Sequence, residues 1–258
     1  LGENRPYKSA EGCCESALDD LTNDGMMINE RKQRRAGAFF GRRKAKSLKP
    51  AQIVLFEQLL PKLIVDLSEP APEDLSQLFE CQAEKIILEI GFGAGEHLIQ
   101  RCGEQAGNGF IGCEPFVNGM GSALSKIAQN EISNIRLFDE DATWLLDWLP
   151  AHAIDIIYLL YPDPWPKKRH WKRRFVSEEN LQRFARVLKS GGEFRFASDI
   201  TDYVDWTVNH VKANPDFGLN AESTDDWSRP WQGWKSTRYE KKAIREGRRS
   251  AYLTFCRL

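Results

Sequence analysis

No stretch of this chain approaches the ~20 consecutive apolar residues that a membrane-spanning helix requires, so a spanning helix is left out of the reading. The first ten residues hold no apolar segment of the kind a secretion signal carries. Cysteines are few, six among 258 residues, and no two form a Cys-x-x-Cys pair, which argues against a zinc ribbon or a disulfide framework. The four histidines do not cluster, and no spacing suits a metal site. These absences lead to the expectation of a reduced, cytoplasmic protein with no metal and no membrane contact. Net charge is nearly missing too: 36 basic and 37 acidic residues leave −1.

That balance hides segregation. Residues 1–30 carry seven acids and two bases, with no periodicity, and read as a disordered acidic tail. Residues 31–49 carry nine bases and no acid, and the segment 31–50 is expected to be a basic RNA-binding arm, or else a solubilising tail. A hydrophobic content of 41% then suffices for one large domain over residues 51–258. The sequence leaves monomer and homodimer open.

Within that domain, helical and strand patterns alternate. Apolar spacing predicts a helix over 51–67, bent or broken at Pro61. Strands are expected at 86–90, 109–113, 134–138, 154–160 and 193–197. Helices are expected at 97–102, 117–129, 142–148, 177–189 (stopped by Gly191 and Gly192) and 201–212. Residues 217–223 and 251–257 would close the sheet as an antiparallel pair. Ile154 to Leu160 is the most apolar run and the expected sheet centre, because strands covered on both faces read as unbroken apolar runs. The class is therefore α/β, a doubly wound sheet.

Ligands of such sheets bind along the C-terminal edge of the strands, and that is where the chemistry-bearing residues fall. After the first strand comes Glu89-Ile-Gly91-Phe-Gly93-Ala-Gly95. The glycines allow a tight turn and close approach of a ligand, but the third arrives one residue early for a dinucleotide fingerprint. Glu89 would repel a pyrophosphate and favour a cationic ligand such as S-adenosyl-L-methionine; a nicotinamide or flavin site, or a tight turn alone, are the other readings. Glu114 ends the second strand, placed to accept from ribose hydroxyls or to stand as a solvated group. Asp141 follows the third, placed to accept from an adenine amine or to cap a helix.

The fourth strand runs into Tyr161-Pro-Asp-Pro-Trp-Pro-Lys-Lys-Arg-His-Trp-Lys-Arg-Arg174. One acid, Asp163, lies between two prolines beside Trp165, and six Lys or Arg follow within eight residues. This suits chemistry on a planar base attached to phosphates; a strand followed by a solvated basic loop would read the same. Asp199, after the fifth strand, fits the paired-donor edge of guanine or a helix N-cap. Trp231, Trp234 and Tyr239 stand among many cations, including Arg238, as stacking and phosphate-binding groups would, or as a solvated amphipathic segment.

The glycine loop, the Pro-Asp-Pro-Trp-Pro-Lys segment with its basic tail, Ser198-Asp199 and Thr237-Arg-Tyr-Glu240 together resemble the bacterial tRNA (guanine-N7)-methyltransferases of the TrmB type, from about residue 35 to the C-terminus. The resemblance implies a class I, seven-stranded Rossmann-like methyltransferase fold with an antiparallel last strand. It implies S-adenosyl-L-methionine as donor, S-adenosyl-L-homocysteine as product, and guanine 46 in the variable loop of tRNA as target. Glu89, Gly91, Gly93, Gly95, Glu114, Asp141 and Asp163 would bind the cofactor, with Asp163 also catalytic. Lys167, Asp199, Thr237, Arg238, Tyr239 and Glu240 would bind the substrate, and Arg169, His170, Trp171, Lys172, Arg173 and Arg174 the RNA. The family's last motif commonly reads Thr-Lys-Phe-Glu; here the charge and the ring persist as Arg238 and Tyr239.

Overall fold

The computed structural model describes residues 41, 43–80, 82–219 and 227–258. The acidic segment 1–30 and the first ten residues of the basic arm lie outside the described residues. The last residues of the arm dock on the domain: Arg43 pairs with Glu140 at 2.7 Å, and Asn118 Oδ1 accepts from Ala45 N at 2.8 Å.

Unbroken apolar runs have become sheet. β1 (Ile86–Ile90), β2 (Gly109–Cys113), β3 (Ile135–Phe138), β4 (Ile154–Leu160) and β5 (Leu188–Ser198) pair in parallel, and β7 (Ala251–Arg257) runs antiparallel to both β5 and β6 (Phe217–Leu219). The order is β3-β2-β1-β4-β5-β7-β6, with β4 at the centre as expected. The chain winds outward from β1 through β3, returns to β4, and winds the other way. A crevice opens at that reversal, at the C-terminal ends of β1 and β4.

Side chains alternate across each strand, so β1 feeds two cores. Ile86, Leu88 and Ile90 face α5 (Ala142–Trp148), α6 (Glu178–Val187) and α7 (Thr201–Ala213) through Leu145, Leu146, Phe184 and Tyr203. Ile87 faces α2 (Leu60–Leu63), α3 (Glu96–Glu104) and α4 (Val117–Gln129) through Leu63, Leu98 and Leu124. Leu88 and Leu98 are fully buried, and truncating either to Ala removes packing worth about 2–5 kcal/mol.

Several boundaries differ from the sequence reading: the helical segment expected over 51–67 ends at Leu63, and the strand expected at 193–197 begins at Leu188. The helix expected over 177–189 ends at Val187, and Gly191 and Gly192 lie within β5, beside a register irregularity between Ile154 and Ile156. Gly191 has φ +75°, so it makes a bulge rather than a helix stop. The basic run, for which a solvated loop was the alternative reading, holds a 3-10 turn, Lys168–Arg173, and the segment before β7 holds a helix, α8 (Arg238–Arg245). The expected break near Pro61 is present: α1 (Pro50–Gln58) stops, and α2 restarts with the proline in its first turn.

Candidate active site

The glycine loop leaves β1 with Gly91, Gly93 and Gly95 all at positive φ, between +59° and +72°. Gly95 then opens α3. α4 presses against this loop through a glycine of its own: a Cβ at Gly119 would lie 2.4 Å from Gly93 O, a distance no side chain could occupy. From the same helix Lys126 Nζ donates to Ala94 O. The loop is thus fixed from below before any ligand meets it.

Glu114, at the end of β2, reaches this loop. Its Oε2 accepts from Gly93 N at 2.6 Å and its Oε1 from Phe116 N at 2.9 Å. The side chain is 7% exposed. Burial pushes its pKa from 4.5 to about 7; the two N–H donors and Arg238 oppose the rise, and the charge of Asp163 adds to it. Glu114 and Asp163 therefore feel each other across one crevice.

Asp163 stands exposed between two backbone outliers, Tyr161 at φ +49° and Trp165 at φ +44°. Such conformations cost of order 1–3 kcal/mol each in non-glycine residues and persist where surroundings impose them. The surroundings are visible. Tyr161 N donates to Ala197 O at 2.7 Å, and its hydroxyl donates to Ser250 Oγ at 2.9 Å. Arg174 Nε donates to Pro164 O at 2.9 Å and Nη1 to Asp202 O at 3.2 Å. Loss of hydration in this loop raises the pKa of Asp163 above its ordinary 3.8.

Over the crevice lies the start of α8. Thr237 caps the helix, its Oγ1 accepting from Glu240 N at 3.2 Å. A Cβ at Gly93 would lie 3.4 Å from Arg238 Nη2 and 3.6 Å from Tyr239 Cε2. The Tyr239 ring is 46% exposed and stacks nearly parallel to Tyr161, with centroids 6.5 Å apart. Beside it a groove of about 670 Å³ is lined by Glu96, Lys126, Lys235, Arg238 and Lys241 among others.

The structure therefore brings Gly93, Glu114, Asp163, Arg238 and Tyr239 together, from four separate segments. Other expected residues are placed differently. Glu89 is 3% exposed and turned under the loop, where Oε2 meets His97 Nδ1 at 2.6 Å. Asp141 does cap α5, its Oδ1 accepting from Thr143 N at 2.9 Å. Asp199 does not cap α7; its Oδ2 accepts from Arg248 Nε at 2.6 Å. Glu240 is buried, accepting from Trp234 Nε1 at 2.8 Å and from the Tyr252 hydroxyl.

The cationic run splits. Lys167, Lys168, Arg169 and Lys172 are exposed. His170 and Arg173 are half-buried against Trp165, the guanidinium 4.9 Å from the ring centroid. Of the residues expected on the RNA face, Arg174 is buried and Trp171 half-buried. Arg174 is 4% exposed, with its guanidinium about 5 Å from the rings of Trp171, Tyr203 and Trp206. Trp171 packs edge-on against Trp206, centroids 5.5 Å apart. Trp231 and Trp234, expected as stacking platforms, pack against the Ile87 core with Tyr158 and Tyr252. The Arg174 guanidinium is thus held by two backbone carbonyls and three rings, while its buried Nη2 has no hydrogen-bond partner.

His97, Lys126 and Tyr161 were not singled out, and Arg248 was read only as one of the cations around Trp231, Trp234 and Tyr239. Lys126, Tyr161 and Arg248 meet partners distant in sequence, as Arg248 does with Asp199 and Tyr161 with Tyr239, whereas His97 meets Glu89 eight residues away. The one local signal was Tyr161 itself, a ring ahead of a proline at a strand end.

The crevice suits a cationic ligand. Two of its carboxyl groups, buried Glu114 and the partly dehydrated Asp163, are raised in pKa by loss of hydration. A sulfonium or ammonium group would relieve both. Among the described residues no group of His, Cys, Asp and Glu could hold a metal ion, and no helix is long and apolar enough to cross a membrane.

A family described as "Putative methyltransferase" matches residues 83–253. A protein of Rhizobium meliloti (strain 1021) named tRNA (guanine-N(7)-)-methyltransferase is 58% identical over 231 residues, 90% of this chain and all of that one. A protein of the same name from Agrobacterium fabrum is 57% identical with the same coverage. Among solved structures, the 16S rRNA methyltransferase KamB aligns with a TM-score of 0.53 at 13% identity, over 74% of this chain and 96% of that one, a likeness of fold alone.

Proposed function

The chain belongs to the tRNA (guanine-N(7)-)-methyltransferase family, and from that premise we propose that it transfers the methyl group of S-adenosyl-L-methionine to N7 of a guanine in tRNA. The observation that carries the reading is whole-length identity above half to proteins of that name. The acid-lined crevice at the β1–β4 reversal supports it. Position 46 of the variable loop is the target that the family resemblance implies.

S-adenosyl-L-methionine, when bound, supplies an electrophilic methyl group on a sulfonium. Gly91, Gly93 and Gly95, with Glu89, Glu114 and Asp141, would hold it. Guanine N7 offers a lone pair and bears no proton, so attack requires no general base. What remains is alignment and exclusion of water, where proximity can supply much of the rate. Positive charge develops on the imidazole ring of the base as the methyl arrives. A carboxylate held near that ring stabilises it, an oxyanion hole with the sign inverted. Asp163 is the group we assign to this task, or to anchoring the donor, and its strained, stapled loop is the support for that choice. Tyr239 and Tyr161 offer ring faces beside it. Lys167 would mark the boundary between donor and substrate. Arg169 and Lys172, with Lys241 and Arg245 on α8, would track the RNA backbone.

The test is methyl transfer from labelled donor to bulk tRNA, followed by nuclease mapping. N7-methylguanosine at position 46 is the expected product. Label on another base, or in ribosomal RNA alone, would overturn the reading.

A further inference from the structure

We propose that His97 is the positioning residue for Glu89, fixing the orientation of that carboxylate beneath the glycine loop that would hold the donor. The inference rests on the reading of the crevice as an S-adenosyl-L-methionine site. Nothing in the family resemblance gives His97 a role.

The geometry is specific. Glu89 lies in the middle of the sheet, in register with Gly112 of β2 and Tyr158 of β4. A carboxylate there has lost nearly all its water: the side chains of Glu89 and His97 are each 4% exposed. Without a donor, a carboxyl buried there is left with an unsatisfied acceptor and no fixed orientation. His97 sits in the first turn of α3, directly after the glycine loop, and its Nδ1 lies 2.6 Å from Glu89 Oε2. In the tautomer with its hydrogen on Nδ1, the imidazole donates to that carboxylate oxygen and fixes its direction.

The imidazole cannot swing away. Tyr158 holds it edge-on with centroids 4.7 Å apart, and Trp234 lies 5.2 Å away on a tilted plane. Trp234 in turn donates to Glu240, beside the Arg238 and Tyr239 that cover Gly93. His97 thus stands between the acid of the donor loop and the segment lying over that loop.

Two substitutions separate the hydrogen bond from the packing. His97→Phe keeps a ring and removes the donor; His97→Asn keeps an N–H at the Nδ1 position and removes most of the ring. Calorimetric titration with S-adenosyl-L-methionine is measured beside tRNA affinity and melting temperature. His97→Phe is expected to weaken donor binding about 10- to 100-fold, the cost of a buried charged group left unpaired, with tRNA affinity within about twofold. His97→Asn is expected to stay within about threefold of the parent for the donor. Equal donor affinity in parent and His97→Phe overturns the inference, and so do equal losses in both variants, which would mean that only packing matters. Should His97→Phe fail to fold, a tenfold or larger loss in a folded His97→Asn overturns it, and near-parent binding supports it. A parent that binds no S-adenosyl-L-methionine overturns the functional reading and this inference with it.

Discussion

Segments 161–174 and 231–249 look alike in sequence, each an interleaving of rings and cations with few acids (Asp163 in the first, Glu240 and Glu246 in the second), yet the fold uses them in opposite senses. In the first, the acid Asp163 faces out and the cation Arg174 goes in, among Trp171, Tyr203 and Trp206. In the second, the acid Glu240 goes in, to Trp234 and Tyr252, and the cations Arg238, Lys241, Lys242 and Arg245 stay out. A buried charge is costly unless it is held by partners, so each segment spends one charged residue on being held and leaves the opposite charge for a ligand. The first segment delivers a carboxylate to the crevice; the second delivers cations and the Tyr239 ring to its rim.

If that contrast is right, the buried member of each segment carries stability and the exposed member carries binding or rate. Arg174→Ala should have the largest effect on stability, about 4 kcal/mol by denaturant unfolding, since it strips Pro164 O and Asp202 O of a charged donor and empties the ring cage. Arg174→Lys should recover little of it, because a lysine lacks the planar fork. Glu240→Ala should cost about 3 kcal/mol, leaving the Trp234 indole and the Tyr252 hydroxyl without acceptors.

Glu114 gives a pH signature of similar or smaller size. Its folded pKa of about 7 lies above the ordinary 4.5, so the native state holds a proton that the unfolded chain has released. Stability should therefore fall as pH rises from 4.5 to about 7, by up to about 3 kcal/mol, and then level. Glu114→Gln should flatten that slope, which thermal melts across the pH range would show. Replacing Lys168, Arg169 and Lys172 together by Ala should leave the melting temperature alone. It should weaken tRNA binding roughly tenfold at physiological salt, and lower the salt slope of log affinity by about 2. Donor affinity should not move.

Much of this was legible before the fold. The sheet was written in the apolar runs, and the crevice in Glu114 and Asp163 at the ends of strands. Arg174 was misread because a run of cations looks uniform along the chain; only the ring cage built with α7, through rings 29 and 32 residues later, distinguishes it from Lys172. The tryptophans at 231 and 234 misled for the same reason, since a ring suits a core and a base equally well. Helix α8 hid because its only inward residues, Glu240 and Ala243, do not make an apolar stripe. Gly191 and Gly192 read as a stop and serve as a bulge, a choice settled by pairing with β4 rather than by local preference.

The most direct test of the contrast is Asp163→Ala, followed by melting temperature and by single-turnover methyl transfer with donor and tRNA both saturating. The account predicts a melting temperature within about 2 °C of the parent and a rate lower by about 100-fold or more. An unchanged rate, or a loss of rate explained by unfolding, would contradict it.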